Sequence, residues 1–225
     1  MSTVDEATTP KAGLSPQFHV AHHFDKADTQ FDAGRMGVWL FLVTEVLFFG
    51  GLFCAFAVFR AWYFDAFVEA HHHLDKVMGG VNTVVLICSS LTMALAVRSA
   101  QTNNKKATVA LLLVTLLCAA VFLCIKYVEY SHKFHEGLLP GKYFTAAGFT
   151  TGNKAGIFFA VYFMMTGVHG LHVVIGMGLI TWILVRAAKG QFSSRYYAPV
   201  EGVGLYWHLV DLVWIYLFPL LYLIG

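Results

Sequence analysis

The chain has 225 residues, 58% of them hydrophobic and only 12% charged, with a formal net charge of +2. A soluble domain carries about a quarter of its residues as charges, so this composition excludes an ordinary soluble fold and places the chain among integral membrane proteins. The small net charge, with no continuous basic stripe and no nucleic-acid fold signature, argues against nucleic-acid binding.

Residues 1–35 are polar and mixed in charge, and no basic stretch leads into a short apolar core with a small-residue cleavage site. They read as an uncleaved polar arm ahead of a membrane domain at 36–225. His19, His22 and His23 in the arm, and His71, His72 and His73 further on, lack the companion ligands of a defined metal site. They are expected to be solvated surface histidines, and no metal is expected in this chain.

Crossing ~30 Å of hydrocarbon takes about 20 apolar residues in a helix. Five runs qualify: Met36 to Phe59, Val77 to Val97, Ala107 to Ile125, Gly156 to Val185 and Val203 to Ile224. The expected fold class is therefore all-α, a polytopic bundle of five transmembrane helices. The fourth run, 30 residues long, is too short for two spans and a turn, so it is read as one long helix. Cys54, Cys88, Cys118 and Cys124 all lie in apolar runs without a C-x-x-C pair, and read as small packing or lipid-facing residues. Nine lysines and arginines fall on the N-terminal side of the spans against six on the other, which predicts a cytoplasmic N terminus. No repeat with a period of 20 to 50 residues is present, nor a pair of inverted broken helices.

Several ionisable groups interrupt these runs. Glu45 lies in Phe41-Leu-Val-Thr-Glu-Val-Leu-Phe-Phe-Gly-Gly51, where a charge costs roughly 3 kcal/mol and must face a protein or water-filled interior. In the fourth run His169 and His172 are three residues apart and project from nearly the same helical face. In the fifth, Glu201, His208 and Asp211 form one polar stripe. At a rise of ~1.5 Å per residue Glu45 and Asp211 lie ~14 and ~12 Å inside the same end of their spans, so these groups are expected at similar depth and in partial contact. Interhelical hydrogen bonding, proton handling, haem or metal ligation and an ion pathway all remain open on the residues alone.

Four segments carry a resemblance: Gly37-Val-Trp-Leu-Phe-Leu-Val-Thr-Glu-Val-Leu-Phe-Phe-Gly-Gly51, Lys126-Tyr-Val-Glu-Tyr130, Thr166-Gly-Val-His-Gly-Leu-His-Val173 and Trp207-His-Leu-Val-Asp-Leu-Val-Trp214. With His22-His-Phe-Asp and Gln30-Phe they cover nearly everything from residue 22 onward. The chain resembles subunit III of the haem-copper terminal oxidases. Family members commonly have seven spans, the first two set off by a lipid-filled cleft, and this chain resembles the shorter bacterial members that lack those two.

The resemblance implies a non-catalytic subunit that holds no haem or copper, with those centres carried by partner subunits. It implies direct packing on subunit I, association with other oxidase subunits including subunit II, contact with membrane lipid, and bound phospholipid as a companion. It implies the bacterial cytoplasmic membrane, with the C terminus on the outer side. Matched by motif, Glu45 falls on the family's buried carbodiimide-reactive carboxylate, while His169, His172, His208 and Asp211 fall on its other intramembrane polar positions. An accessory subunit of nitric oxide reductase and a free-standing proton-coupled transporter are the competing expectations.

Overall fold

The computed structural model describes residues 27–145, 148–194 and 196–223, so His19, His22 and His23 lie outside the described residues. Six α-helices follow in chain order: α1 (Ala27–Trp62), α2 (Phe64–Ala70), α3 (Lys76–Gln101), α4 (Lys105–His135), α5 (Ala155–Ala188) and α6 (Ala198–Tyr222). All except α2 are long and apolar enough to cross a membrane. No β-strand occurs among the described residues, only two isolated bridges, Leu138 with Phe144 and Ser193 with Tyr196. The five-helix expectation holds, and the fourth span is a single helix of 34 residues.

Element ends depart from the hydropathy boundaries. Helix α1 begins at Ala27, within the segment assigned to the polar arm, because mixed-charge residues exclude a helix from lipid without preventing it from continuing into water. Helix α4 runs ten residues past Ile125, through Lys126, Glu129 and Lys133. At the turn between α3 and α4, Asn103 adopts a left-handed conformation (φ 58°) and Asn104 caps α4 by accepting from Ala107 N at 3.1 Å. Asp75 caps α3 through Val77 N and Met78 N, at 2.8 and 3.1 Å. Such caps satisfy orphan amides at a helix start.

Helices α3, α4, α5 and α6 close a ring in which each packs on the next and α6 returns to α3, while α1 lies outside it against α5 and α6. Trp207, Trp214, Tyr162, Tyr222, Phe122 and Phe158 fill the ring. The outward surface is also apolar, with Met36, Leu40, Leu47, Leu91 and Leu117 exposed, as a lipid-solvated bundle requires. Cys54, Cys88 and Cys124 are exposed, Cys118 is half-buried, and all four are free. At Gly176 α5 and α6 approach closely: a Cβ there would lie 2.8 Å from the Trp207 ring.

The two ends of the bundle are tied by loop contacts. At one end Ser194 N donates to Asn103 Oδ1 at 2.6 Å, and Arg186 stacks on Trp182, Phe192 and Tyr196. At the other, Glu69 on α2 accepts from Thr150 N and Oγ1 and from Thr151 N and Oγ1, at 2.6 to 3.0 Å. The Thr151 hydroxyl and then the Thr150 amide hold the Glu69 carboxyl down at about 2, against an ordinary 4.5. His72 and His73 are exposed, but His71 is buried and its Nδ1 donates to Val68 O at 2.6 Å, which corrects the reading of this triplet as solvated. Burial holds His71 below its ordinary 6.5. A 3₁₀ turn at 71–73 folds the first imidazole under α2 and leaves the next two facing out.

Two outcomes follow from this geometry. Gly176→Ala should destabilise the solubilised protein by about 1–3 kcal/mol, since the added methyl meets a buried indole in a filled core. Gly167→Ala, which meets nothing within 4 Å, should leave the thermal midpoint unchanged in the same assay. The Glu69 clasp has a depressed folded pKa, so its contribution is complete above about 4.5 and is lost as pH falls through about 2. Hydrogen exchange of the peptide 148–154, corrected for intrinsic rates, should show protection retained at pH 4, and Glu69→Ala should remove it throughout.

Candidate functional site: the intramembrane polar set

Helix α1 meets the ring at mid-bundle through Glu45 and His172, whose Oε2 and Nε2 lie 2.9 Å apart. Both side chains are largely shielded, with 17% and 13% of their surface exposed. Phe49 packs edge-on to the imidazole at 5.0 Å, and the Tyr206 hydroxyl donates to the His172 carbonyl at 3.1 Å. The His172 Nδ1 faces the Val168 carbonyl at 2.8 Å. A carbonyl only accepts, so Nδ1 carries a hydrogen, and one further proton occupies the bond between Nε2 and the carboxyl. The pair is then either carboxylic acid with neutral imidazole or carboxylate with imidazolium. It is neutral overall both ways.

The other expected members do not join this pair. His169 is fully buried and turns inward, its ring 5.2 Å from Trp214 and 5.7 Å from Phe122. Three residues rotate a helix by about 300°, and the remaining 60° is enough to send His172 to α1 and His169 into the ring. His208 reaches α3 instead of Asp211: its Nδ1 lies 2.7 Å from Ser90 Oγ. Asp211, 2% exposed, also lies beside α3, and neither carboxyl oxygen makes a well-formed hydrogen bond to any described residue. Glu201 sits ten residues from Asp211, roughly 15 Å along α6, and lines a groove of about 540 Å³ between α1, α5 and α6 with Arg35, Trp39 and Trp182.

The densest polar network was not among the expected site residues. Lys126, Glu129 and Lys133 lie along one face of α4 and all three are buried. Lys126 Nζ donates to Glu129 Oε2 at 2.9 Å and to Tyr222 OH at 2.7 Å, and lies over the rings of Trp214 (4.8 Å), Tyr162 (5.3 Å) and Tyr222 (5.4 Å). The hydroxyls of Tyr162 and Tyr222 donate to Glu129 Oε1 at 2.8 and 2.5 Å. Lys133 Nζ stands 3.8 Å from the same oxygen and donates to the His73 carbonyl at 3.4 Å. One carboxylate thus gathers side chains from α4, α5 and α6. Among the described residues no group of three or more His, Cys, Asp and Glu is arranged to hold a metal ion.

Comparison with known proteins decides the family. The profile of cytochrome c oxidase subunit III matches residues 19–225. The chain belongs to the cytochrome c oxidase subunit III family. Cytochrome c oxidase subunit 3 of a Synechocystis species is 34% identical over 194 residues, covering 86% of this chain and 76% of that one. Quinol oxidase subunit 3 of Bacillus subtilis is 30% identical over 213 residues, covering 92% and 97%. A haem-copper oxidase subunit I+III of Aeropyrum pernix is 31% identical over 199 residues, and this chain spans 23% of its length. As a subunit III of a haem-copper oxidase, the chain is a multi-pass membrane component of an oxidase complex.

The sequence did carry a signal for the α4 network. Residues 126, 129 and 133 share the spacing of one helical face, and they directly follow an apolar run, but a lysine after such a run reads as its end. The carboxylate and two ammonium groups only make sense inside the bundle because phenols from α5 and α6 arrive there. Removing one partner of a buried pair strands the other, so Lys126→Met should cost about 3–5 kcal/mol. Glu129→Gln should cost a similar amount, and Lys126→Met with Glu129→Gln together clearly less than the sum. A double-mutant cycle on thermal unfolding of the detergent-solubilised complex measures the coupling.

Proposed function

We propose that this chain is a non-catalytic subunit that stabilises subunit I of a respiratory haem-copper oxidase and supports proton uptake near its cytoplasmic entrance. The observation that carries the reading is how the intramembrane acids are spent. Glu45 is closed on His172 and Glu129 on two phenols and two ammonium groups, an arrangement suited to holding helices together. The His172 Nδ1 proton is tied to the Val168 carbonyl, which anchors the imidazole that faces Glu45. The haem and copper centres belong, in this reading, to the partner subunits.

The Aeropyrum pernix relative, named for subunits I and III together, supports direct packing of this chain on subunit I, with subunit II and lipid as further neighbours. Relatives named as cytochrome c oxidase and quinol oxidase subunits favour an oxidase over a nitric oxide reductase or a free-standing transporter. The reading includes a bacterial cytoplasmic membrane with the N terminus inside. The excess of basic residues on the N-terminal side of the spans, nine against six, supports that orientation.

Mass spectrometry of the proteins that co-purify in mild detergent tests the partner, and should find a haem-copper subunit I at equal stoichiometry. Glu45→Gln should abolish labelling of the chain by a hydrophobic carbodiimide. It should leave the initial turnover of the assembled oxidase nearly unchanged, because the glutamine amide N–H still donates to His172 Nε2. A complex with full stoichiometry and a tenfold lower initial rate, about 1.4 kcal/mol of barrier, would overturn the structural reading.

A further inference from the structure

Helix α2 and the 3₁₀ turn at 71–73 join α1 to α3 at the end of the bundle away from the N terminus. This short segment is a hub. Phe67 is fully buried between Phe56 of α1 and Phe158 of α5, with ring centres 5.5 and 5.2 Å away. Glu69 clasps Thr150 and Thr151. The His73 carbonyl accepts from Lys133 of α4, its ring lies 4.8 Å from that of Phe149, and the turn packs on α6.

The turn begins with His71, whose imidazole is buried beneath α2 with 1% of the residue exposed. Its Nδ1 carries a hydrogen, since the Val68 carbonyl 2.6 Å away can only accept, so a second proton has to enter at Nε2 and charge a buried ring. The surroundings oppose that charge. The His72 ring lies 4.0 Å away, Lys76 stands at the start of α3, and Lys133 of α4 brings a further ammonium group to the turn. The nearby acids are occupied elsewhere: Glu69 of α2 by Thr150 and Thr151, Asp75 by the first amides of α3, and Glu129 of α4 by Lys126 and by Tyr222 at the end of α6. Among the described residues no carboxylate forms an ion pair with His71. Burial, opposed in part by the Val68 carbonyl and reinforced by His72 and Lys76, holds the ring below its ordinary 6.5.

A solvated imidazole takes its proton near 6.5, whereas the buried ring takes one only at lower pH, so the closed turn binds fewer protons than the open one. The stability of the closed turn is complete above about 6.5 and falls as the pH drops from there toward the depressed value. We infer that His71 is a proton-operated latch, whose protonation expels the imidazole from beneath α2, opens the turn at 71–75 and breaks the Lys133 contact to the His73 carbonyl while the membrane helices stay packed. The Glu69 clasp is untouched in this range, because its carboxyl is held down at about 2, so the loop at 148–154 stays docked. In the reading above this end of the bundle faces the outside, and the outer proton concentration then sets the state of the latch. Only the compartment rests on that reading.

Hydrogen exchange of the detergent-solubilised complex, with the same pH on both sides and corrected for intrinsic rates, tests this whichever way the chain faces. The Leu74 amide, which donates to His71 O at 3.0 Å, reports the turn. Protection of the peptide 70–76 should fall several-fold between about pH 7.5 and about pH 5, no more steeply than about tenfold per pH unit, the limit for one proton. Protection of 148–154 should not change. His71→Gln keeps an N–H for the Val68 carbonyl and removes the titration, so its profile should be flat, whereas His72→Gln with His73→Gln should retain most of the fall. A flat profile in the unaltered chain, a fall that persists in His71→Gln, or a parallel loss at 148–154 would overturn the latch. Where His71→Gln does not assemble, the double variant decides: a retained fall supports His71 as the titrating group, and a fall that disappears with His72 and His73 overturns it.

Discussion

Hydrocarbon offers no hydrogen bonds, so each polar group carried into the membrane must find its partner on another helix. That constraint organises the whole chain. Glu129 is the clearest case, since its carboxylate accepts from Tyr162 on α5 and Tyr222 on α6 while pairing with Lys126 on its own helix. Ser90 and Thr83 on α3 do the same for His208 and Trp214 on α6, and Thr92 bonds Thr115 across α3 and α4. Each seam of the four-helix ring carries at least one such bond, and aromatic packing joins it at the seams of α5 with α4 and α6. Apolar side chains gain little by leaving lipid for a protein interior, so close packing and polar contacts determine which helix lies beside which.

Helix α1 stands apart from this scheme. Its long apolar surface is mostly turned outward, and grooves flank it, one toward α6 near Glu201 and one toward α5 near Lys142 and Asn153. Between them the Glu45–His172 bond, Phe49 on the imidazole and Phe41 against Tyr206 hold it to the ring. A single-proton pair suits this position, because it binds two helices without leaving a net charge in the membrane. The same chemistry explains why an acid so deep in an apolar run is tolerated at all. Its cost is offset only while α5 stays against α1.

The number of helices and the identity of the fourth as one long rod were legible in the sequence, because each depends on runs of apolar residues longer than the bilayer requires. Partners were less legible. His169 and His172 share a motif yet face different neighbours, since a 60° difference on α5 separates the seam with α1 from the interior of the ring. His208 and Asp211 looked like a natural pair at i and i+3, but Ser90, an inconspicuous residue in the second span, takes the imidazole. The α4 network was hidden for a different reason. Hydropathy ends a span at its first lysine, whereas the helix continues as long as tertiary partners satisfy what it carries, and the phenols that satisfy Lys126 and Glu129 come from residues 33 to 96 positions away.

These two kinds of polar contact divide the labour along the bundle. The α4 network is saturated: its carboxylate has four neighbours and its ammonium group three acceptors and several ring faces, so any change of protonation there disrupts many contacts at once. The Glu45–His172 pair is sparse, with a proton that can reside on either partner while the geometry stays fixed. Relatives named for cytochrome c and for quinol share the family at similar identity. Within the bundle, a rigid polar floor at one end with an adaptable joint at mid-helix is an arrangement that anchors a helix without locking its neighbour's chemistry. In the proposed reading, a subunit built this way contributes to an oxidase through the persistence of its packing.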